Sequence, residues 1–253
     1  MIKETHIKMN IKLDNPLILV RAVEIVSELV TEVKIRITPE GLQITAMDPA
    51  NVSMVNFKIN KSAFSEFESG NDVLGINLES LKQILRRCGS NSSLILEREE
   101  NMLKIAIQDK IQRRFTLNLI NIDSEDIDFE EKVRNMEFTS RVEMNSQDLI
   151  ASVEDCAVVA DACSFIIENE KFIIEAKSMN SARSEFTPEN VKIQAENCRS
   201  KFSIEYLQKF MKGAKLSDKV LLRFSEDHPL RIDFSNPSVE LGFVLAPRIE
   251  TED

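Results

Sequence analysis

An α+β fold made of two similar domains is predicted by three features: a repeat spanning the chain, amphipathic helical stretches, and short one-sided strands after each of them. The repeat is clearest between Gly75–Gly89 and Lys201–Lys215. Leu78, Leu81, Ile84, Leu85 and Cys88 correspond there to Ile204, Leu207, Phe210, Met211 and Ala214. Downstream, Leu94 and Leu96 match Val220 and Leu222, and Leu103 and Ile105 match Leu230 and Ile232. Upstream, Leu19, Val23 and Ile37 match Leu149, Val153 and Ile167 at nearly the same offset. The expected organisation is an N-terminal domain over 1–121, a connector over 122–133 and a C-terminal domain over 134–253.

Element by element, Asn15 and Pro16 offer an N-cap and a first-turn proline. Leu19, Ala22, Val23, Val26, Leu29 and Val30 then recur at helical spacing. Val33–Ile37 reads as a strand, Pro39-Glu40-Gly41 as a turn and Leu42–Ala46 as the returning strand. A second helix, Leu78–Cys88, starts after Asn77 and stops at Gly89. Strands Leu94–Arg98, Met102–Ile107 and Arg114–Leu119 follow; Leu103, Ile105 and Ile107 share one face and Lys104 takes the other. The second half repeats the order. Helix Ser146–Ala160 precedes strands Cys163–Ile167 and Phe172–Ala176, and helix Ser203–Gly213 precedes Lys219–Phe224, Leu230–Phe234 and Val239–Leu245. Short turns between half-buried strands imply antiparallel sheets with helices on one face and solvent on the other.

Between the halves, Asn121–Val133 is acid-rich and has neither helical nor strict strand periodicity. It reads as a solvated linker. Ile122, Ile127 and Phe129 exceed what a spacer requires, and stand as anchors that dock the linker or contact partners.

With 253 residues, 43% of them hydrophobic, the chain can bury a substantial core, which excludes disorder as its default. No apolar run reaches the ~18 residues of a membrane span. The longest candidate, Pro16–Val30, is broken by Arg21, Glu24 and Glu28. The opening Lys3, Glu4 and Lys8 do not read as a secretory signal, so a soluble, cytoplasmic chain is expected. Cys88, Cys156, Cys163 and Cys198 form no CxxC pair, so neither a metal site nor a redox dithiol is expected. Of the two histidines, His6 and His228, neither has a catalytic context. There is no nucleophile elbow or phosphate loop, and only six glycines are available to build one. Glu99-Glu100 and Glu130-Glu131 are read as solvated charge. No catalytic residue, cofactor or enzyme activity is expected.

Acidic residues outnumber basic ones by 42 to 32, for a net charge of −10, which argues against a conventional nucleic-acid binder. The distribution says more. Lys82, Arg86 and Arg87 stand against Glu79 on one repeated helix, and Lys209, Lys212 and Lys215 against Glu205 on the other. Each helix region is net basic, with its charges opposite the apolar face. Such charges either solubilise a helix or touch phosphate. With one tyrosine, Tyr206, and no tryptophan, stacking on single strands is disfavoured, leaving sequence-blind phosphate contact.

At this point the chain resembles a DNA sliding clamp of the proliferating cell nuclear antigen type, in its archaeal form. The stretch Gly41-Leu-Gln-Ile-Thr-Ala-Met-Asp-Pro-Ala-Asn-Val-Ser-Met-Val55 carries the likeness, with Leu216-Ser-Asp, His228-Pro229-Leu230 and the ending Leu245-Ala-Pro-Arg-Ile-Glu250. The resemblance implies a homotrimer closed head-to-tail into a ring, two helices per domain lining the hole and antiparallel sheets outside. Closure would also satisfy the sheet edges. Such a ring encircles double-stranded DNA without reading sequence and tethers DNA polymerase, the clamp loader replication factor C, flap endonuclease and DNA ligase. In an archaeal cell it would be nucleoid-associated, with no membrane partner.

Carried over by position, Arg21, Lys82, Arg86, Lys209 and Lys212 face DNA. Gln83 stands where relatives often have lysine, and Asp148, Glu154 and Asp155 make the other helix pair poorly basic. Asp148 and Asp155, two turns apart, are implied to meet Arg87 and Arg113 of a neighbouring subunit. Strand pairing there would join Arg113–Leu119 to Ser181–Thr187. A pocket for client peptides is implied at Met47, Ile127, Phe129, Pro229 and Val244, with Ala246 and Pro247 adjoining; the family's aromatic at Val244 is missing. Rival readings are a subunit of a heterotrimeric clamp, replicative or checkpoint, an enzyme resting on unassigned carboxylates, and an open-groove DNA binder.

Overall fold

Alternation of buried and exposed side chains organises most strands, as in Glu32–Thr38 and Met102–Gln108, giving them a wet and a dry face, while Ala162–Glu168 and Lys171–Lys177 are largely buried on both. The computed structural model describes residues 9–249; His6, Lys3, Glu4, Lys8 and Glu250 lie outside the described residues. These residues form two compact units. One comprises 9–46, 56–127 and 237–239, and the other 47–55, 128–236 and 240–249.

The first unit runs β1 (Asn10–Leu13), α1 (Leu17–Val26), β2 (Glu32–Thr38), β3 (Gly41–Met47), β4 (Ser53–Asn60), β5 (Glu66–Glu68), β6 (Asp72–Asn77), α2 (Leu78–Leu85), β7 (Ser93–Glu99), β8 (Met102–Gln108) and β9 (Gln112–Asn118). Its strands lie in the orders β5-β1-β7-β8-β9 and β4-β3-β2-β6. Helices α1 and α2 pack together. They bury Leu19, Val23 and Val26 from one and Leu78, Leu81 and Leu85 from the other. Strand residues Leu94, Leu96, Leu103, Ile105 and Ile107 are also buried.

The second unit runs α3 (Phe129–Arg134), β10 (Ser140–Asn145), α4 (Ser146–Ala157), β11 (Ala162–Glu168), β12 (Lys171–Lys177), β13 (Ser181–Phe186), β14 (Lys192–Ala195), β15 (Cys198–Ser203), α5 (Ile204–Met211), β16 (Lys219–Phe224), β17 (Leu230–Asn236) and β18 (Val239–Leu245). Strand orders are β14-β10-β16-β17-β18 and β13-β12-β11-β15. Helix α4 packs on α5 and on β10 to β13. The core is aromatic: Phe165 meets Phe172 and Phe202 edge-on at 5.6 and 5.4 Å, and Phe210 stacks on Phe243 at 4.3 Å. The cysteines are free thiols. Among the described residues no helix is long and apolar enough to cross a membrane.

The α+β class with antiparallel sheets is as the sequence predicts, while several boundaries differ. Pro16, not Asn15, holds the cap position of α1; its helical dihedrals (φ −69°, ψ −18°) and its carbonyl, bonded by Val20 N at 3.1 Å, already belong to the first turn. Helix α1 stops at Val26 because Glu28 N and Leu29 N bond back three residues, tightening the chain into turns. Helices α2 and α4 end at Leu85 and Ala157 for the same reason, with Cys88 N on Leu85 O and Val158 N on Asp155 O. Helix α5 starts at Ile204. The connector is not without structure: α3 lies in it, capped by Asp128, whose side chain accepts from Glu131 N at 2.9 Å.

The Met-Asp-Pro stretch owes its conformation to one carboxylate. Asp48 is buried, and its Oδ1 accepts from Val52 N at 2.8 Å and Ser53 N at 2.5 Å. Its Oδ2 accepts from Ala50 N at 3.1 Å and from the Tyr206 hydroxyl of α5 at 2.8 Å. Burial pushes the Asp48 pKa up, and these hydrogen bonds together more than offset it, leaving it below the ordinary value. Burial and the adjacent Asp48 carboxylate hold the Tyr206 phenol up at about 12.

Because the folded Asp48 pKa is depressed, its contribution to stability is present above the unfolded carboxylate pKa and lost as pH falls through the folded one. Asp48→Ala should cost about 1.5–3 kcal/mol at neutral pH, the worth of hydrogen bonds to a charged group. Thermal melts should show the gap between wild type and variant narrowing below about pH 4; a gap independent of pH would contradict this role.

Candidate nucleic-acid interface

Helix α2 is set by Asn77, whose side chain accepts from Ser80 N at 3.0 Å, and by the buried row Leu78, Leu81 and Leu85. That burial leaves Lys82 half-buried at the edge of the row and turns Arg86 outward. Arg86 and Arg87 are exposed. Lys82 is engaged within its own unit: its Nζ lies 2.7 Å from Glu79 Oε2 and 3.5 Å from Ser27 Oγ. The Lys82 hydrogen bond, against a smaller burial effect, holds the Glu79 carboxyl below its ordinary pKa, and the charge of Arg86 adds to this. Arg21, on α1, is half-buried.

Helix α5 repeats the arrangement in the second unit. Ile204, Leu207, Phe210 and Met211 are buried. Lys209 Nζ is 2.9 Å from Glu205 Oε1 and 5.1 Å from the centroid of the Tyr206 ring. Lys212 and Lys215 are exposed on a single 3-10 turn that continues the helix, Lys212–Lys215. The structure therefore brings Lys82 and Arg86 to one helix surface of the first unit, and Lys209 and Lys212 to the equivalent surface of the second. The pairing of Lys82 and Lys209 with glutamates was not anticipated. Its signal was present, since Glu79 and Glu205 precede them by three and four residues.

Of the residues expected at a subunit contact, Asp148 and Asp155 are exposed on α4, and Arg87 is exposed beyond α2. Arg113 Nη1 donates to Asp109 at 2.7 Å within its own hairpin. Together with the Ile111 N–H, the stronger influence, this lowers Asp109 to about 2. Strands β9 and β13 are each the outermost strand of a sheet.

The connector's first part is held by cations of the first unit. Asp126 pairs with Arg36 and, at 3.3 Å, with Lys34 Nζ, which also donates to Ser124 O at 2.5 Å. Ile120 N donates to Gly75 O at 2.9 Å, an approach only glycine permits, since a Cβ there would lie 2.0 Å from Ile120 O. Ile122 and Ile127 are half-buried.

The connector's second part belongs to the other unit. Phe129 is 2% exposed; a Cβ on Gly242 would lie 3.2 Å from its ring, and the Arg231 guanidinium is 5.4 Å from its centroid. Phe129 thus docks the connector on its own unit. Met47, Pro229, Ala246 and Pro247 are half-buried and Val244 is buried. Ala246 N donates to Val52 O at 2.9 Å, tying the C-terminal segment to the Asp48 loop.

Comparisons with known proteins agree with this architecture. A family model described as proliferating cell nuclear antigen, N-terminal domain, matches residues 8–130, and one for the C-terminal domain matches 132–249. The chain is 31% identical to a DNA polymerase sliding clamp of Methanococcoides burtonii, over 91% of this chain and 95% of the relative. It is 32% identical to one of Thermococcus gammatolerans, over 88% and 92%. Its fold is similar to that of the proliferating cellular nuclear antigen of Entamoeba histolytica, with a TM-score of 0.87 at 22% identity, covering 95% and 99% of the two chains. Two family domains in tandem, near-full coverage of archaeal relatives and the matching fold lead to one conclusion: the chain belongs to the proliferating cell nuclear antigen family of DNA sliding clamps.

Proposed function

We propose that this sliding clamp closes with two further copies of itself into a ring around duplex DNA, where it holds DNA polymerase without catalysing a reaction itself. The observation that carries the reading is the pair of basic helix surfaces, Lys82 and Arg86 on α2 and Lys209 and Lys212 at α5, in a chain of net charge −10. Arg21 completes the DNA-facing set. Two of these lysines already hold glutamates, and such surface pairs are worth only about 0.2–1 kcal/mol each. Phosphate can displace a glutamate and be displaced in turn, so contacts exchange as the duplex moves. Sequence-specific contacts would halt that motion.

Ring closure in this reading joins β9 of one subunit to β13 of the next, giving both outermost strands a partner. Arg87, Arg113, Asp148 and Asp155 support it through ion pairs between subunits. For Arg113 this means sharing or exchanging Asp109, its partner within the chain. Residues 122–133 act as the connector between the domains 1–121 and 134–253. The connector and the C-terminal segment frame a client pocket, to which Met47, Ile127, Pro229, Val244, Ala246 and Pro247 contribute and Phe129 supplies the floor. Clamp loader, flap endonuclease and DNA ligase would dock through short peptides that bury aromatic anchors there, on a ring working at the nucleoid.

Charge reversal of Arg86 and Lys212 should leave the native mass at three times that of the chain and shorten clamp-dependent DNA synthesis roughly tenfold, equivalent to about 1.4 kcal/mol. Unchanged synthesis by the variant would count against the DNA-facing assignment. Replacing Met47 and Ile127 by alanine should weaken a client peptide by about 2 kcal/mol or more, measured by calorimetry. Wild-type affinity in that variant would remove the pocket.

A further inference from the structure

Three arginines stand in line across the neighbouring strands β10, β16 and β17 of the second unit. Arg141 of β10 lies directly opposite Arg223 of β16, and Arg223 directly opposite Arg231 of β17. Directly opposed residues project from one sheet face. With strands about 4.8 Å apart, the row is roughly 10 Å from end to end at its roots. Like charges in that position repel, so the row costs stability wherever no anion fills it.

The chain supplies part of the counter-charge. Asp233 accepts from Arg223 Nη2 at 2.6 Å and from Arg231 Nε at 3.0 Å. Arg231 is further held over the Phe129 ring, with Glu130 at 3.9 Å. The other end of the row is open. Arg141 is exposed and has no hydrogen bond or ion pair among the described residues. The nearest acid along β10, Glu143, is already held by Lys192 at 3.2 Å and Lys219 at 3.5 Å. Arg223 Nε is enclosed with no acceptor.

We propose that this arginine row docks an acidic segment of a partner protein, with a carboxylate bridging Arg141 and Arg223 as Asp233 bridges Arg223 and Arg231. The guanidinium fork suits a carboxylate in two-point contact. A peptide fits the row better than a nucleic acid does. The row is short and bracketed by Glu143, Asp233 and Glu130, so a longer string of phosphates runs onto carboxylates, in a chain already at −10. A segment with two or three carboxylates ends within it. The Arg231 end of the row lies over Phe129, the floor of the client pocket, so the open Arg141 end is where the segment docks.

The test uses the full chain, a labelled glutamate-rich peptide, its glutamine counterpart and a labelled single-stranded oligothymidylate, followed by fluorescence anisotropy. The glutamate peptide should bind roughly tenfold tighter than the glutamine one, a difference of about 1.4 kcal/mol. That advantage should shrink with added salt. Arg141→Glu should abolish it and Arg141→Gln should reduce it severalfold, with melting temperatures unchanged or raised, because Arg141 supports no other group and each substitution removes a like charge opposite Arg223. Equal binding of the two peptides, or an advantage that survives Arg141→Glu, would overturn the proposal. So would an oligothymidylate that binds tighter than the glutamate peptide and depends on Arg141, which would make the row a nucleic-acid site.

Discussion

The rest of the molecule depends on how α2 and α5 bury their apolar stripes. Fully burying a leucine is worth about 1.5–3 kcal/mol, whereas an exposed ion pair gives about 0.2–1. Leu78, Leu81 and Leu85, and likewise Ile204, Leu207 and Phe210, therefore decide how each helix is rotated about its axis. The basic side chains follow from that choice. Arg86, Lys209 and Lys212 are left to the side away from the stripe, and Lys82 to its edge. Orientation comes from the core and charge from the surface, so the cations can be changed at little cost to folding.

The same separation explains how an acidic chain can serve DNA. Many of its carboxylates neutralise nearby cations, such as Glu79 with Lys82, Glu205 with Lys209, Asp109 with Arg113 and Asp126 with Arg36. Each such pair is weak and screened within about 8–10 Å at physiological salt. A partner that grips firmly would need cations without competing acids. One that must remain mobile is better served by lysines whose glutamates return when a phosphate leaves. Retention then has to come from enclosure rather than affinity, which is what ring closure would supply.

Legibility in the sequence followed how much of each pattern was apolar. The rows of α1, α2 and α5 and strands such as Met102–Gln108 were readable because apolar side chains fill their inward positions. Strand β15 was hidden because one inward position is Ser200, which is buried by donating to His228 O at 3.1 Å. In β10 only Val142 and Met144 carry the alternation, alongside the buried hydroxyl of Ser140. Helix α1 was read too long because Leu29 stays buried through the turns beyond its end. Helix α3 has six residues, too few for a period to show. The site was legible in residue type and helix face. The capture of Lys82 and Lys209 by neighbouring glutamates, and the enclosure of Phe129, depend on rotamers and on contacts from distant strands. Membership of residues 47–55 in the second unit is likewise decided by long-range partners, Tyr206 and Ala246.

The account stands on enclosure replacing tight binding, and one measurement reaches that directly. The protein is loaded onto a nicked circular duplex by a clamp loader, washed in salt, and the circle is then cut once. Enclosure predicts that the protein stays with the circle through the wash and leaves as soon as the DNA becomes linear. Equal retention on circular and linear DNA, or loss from both at the same salt, would contradict it.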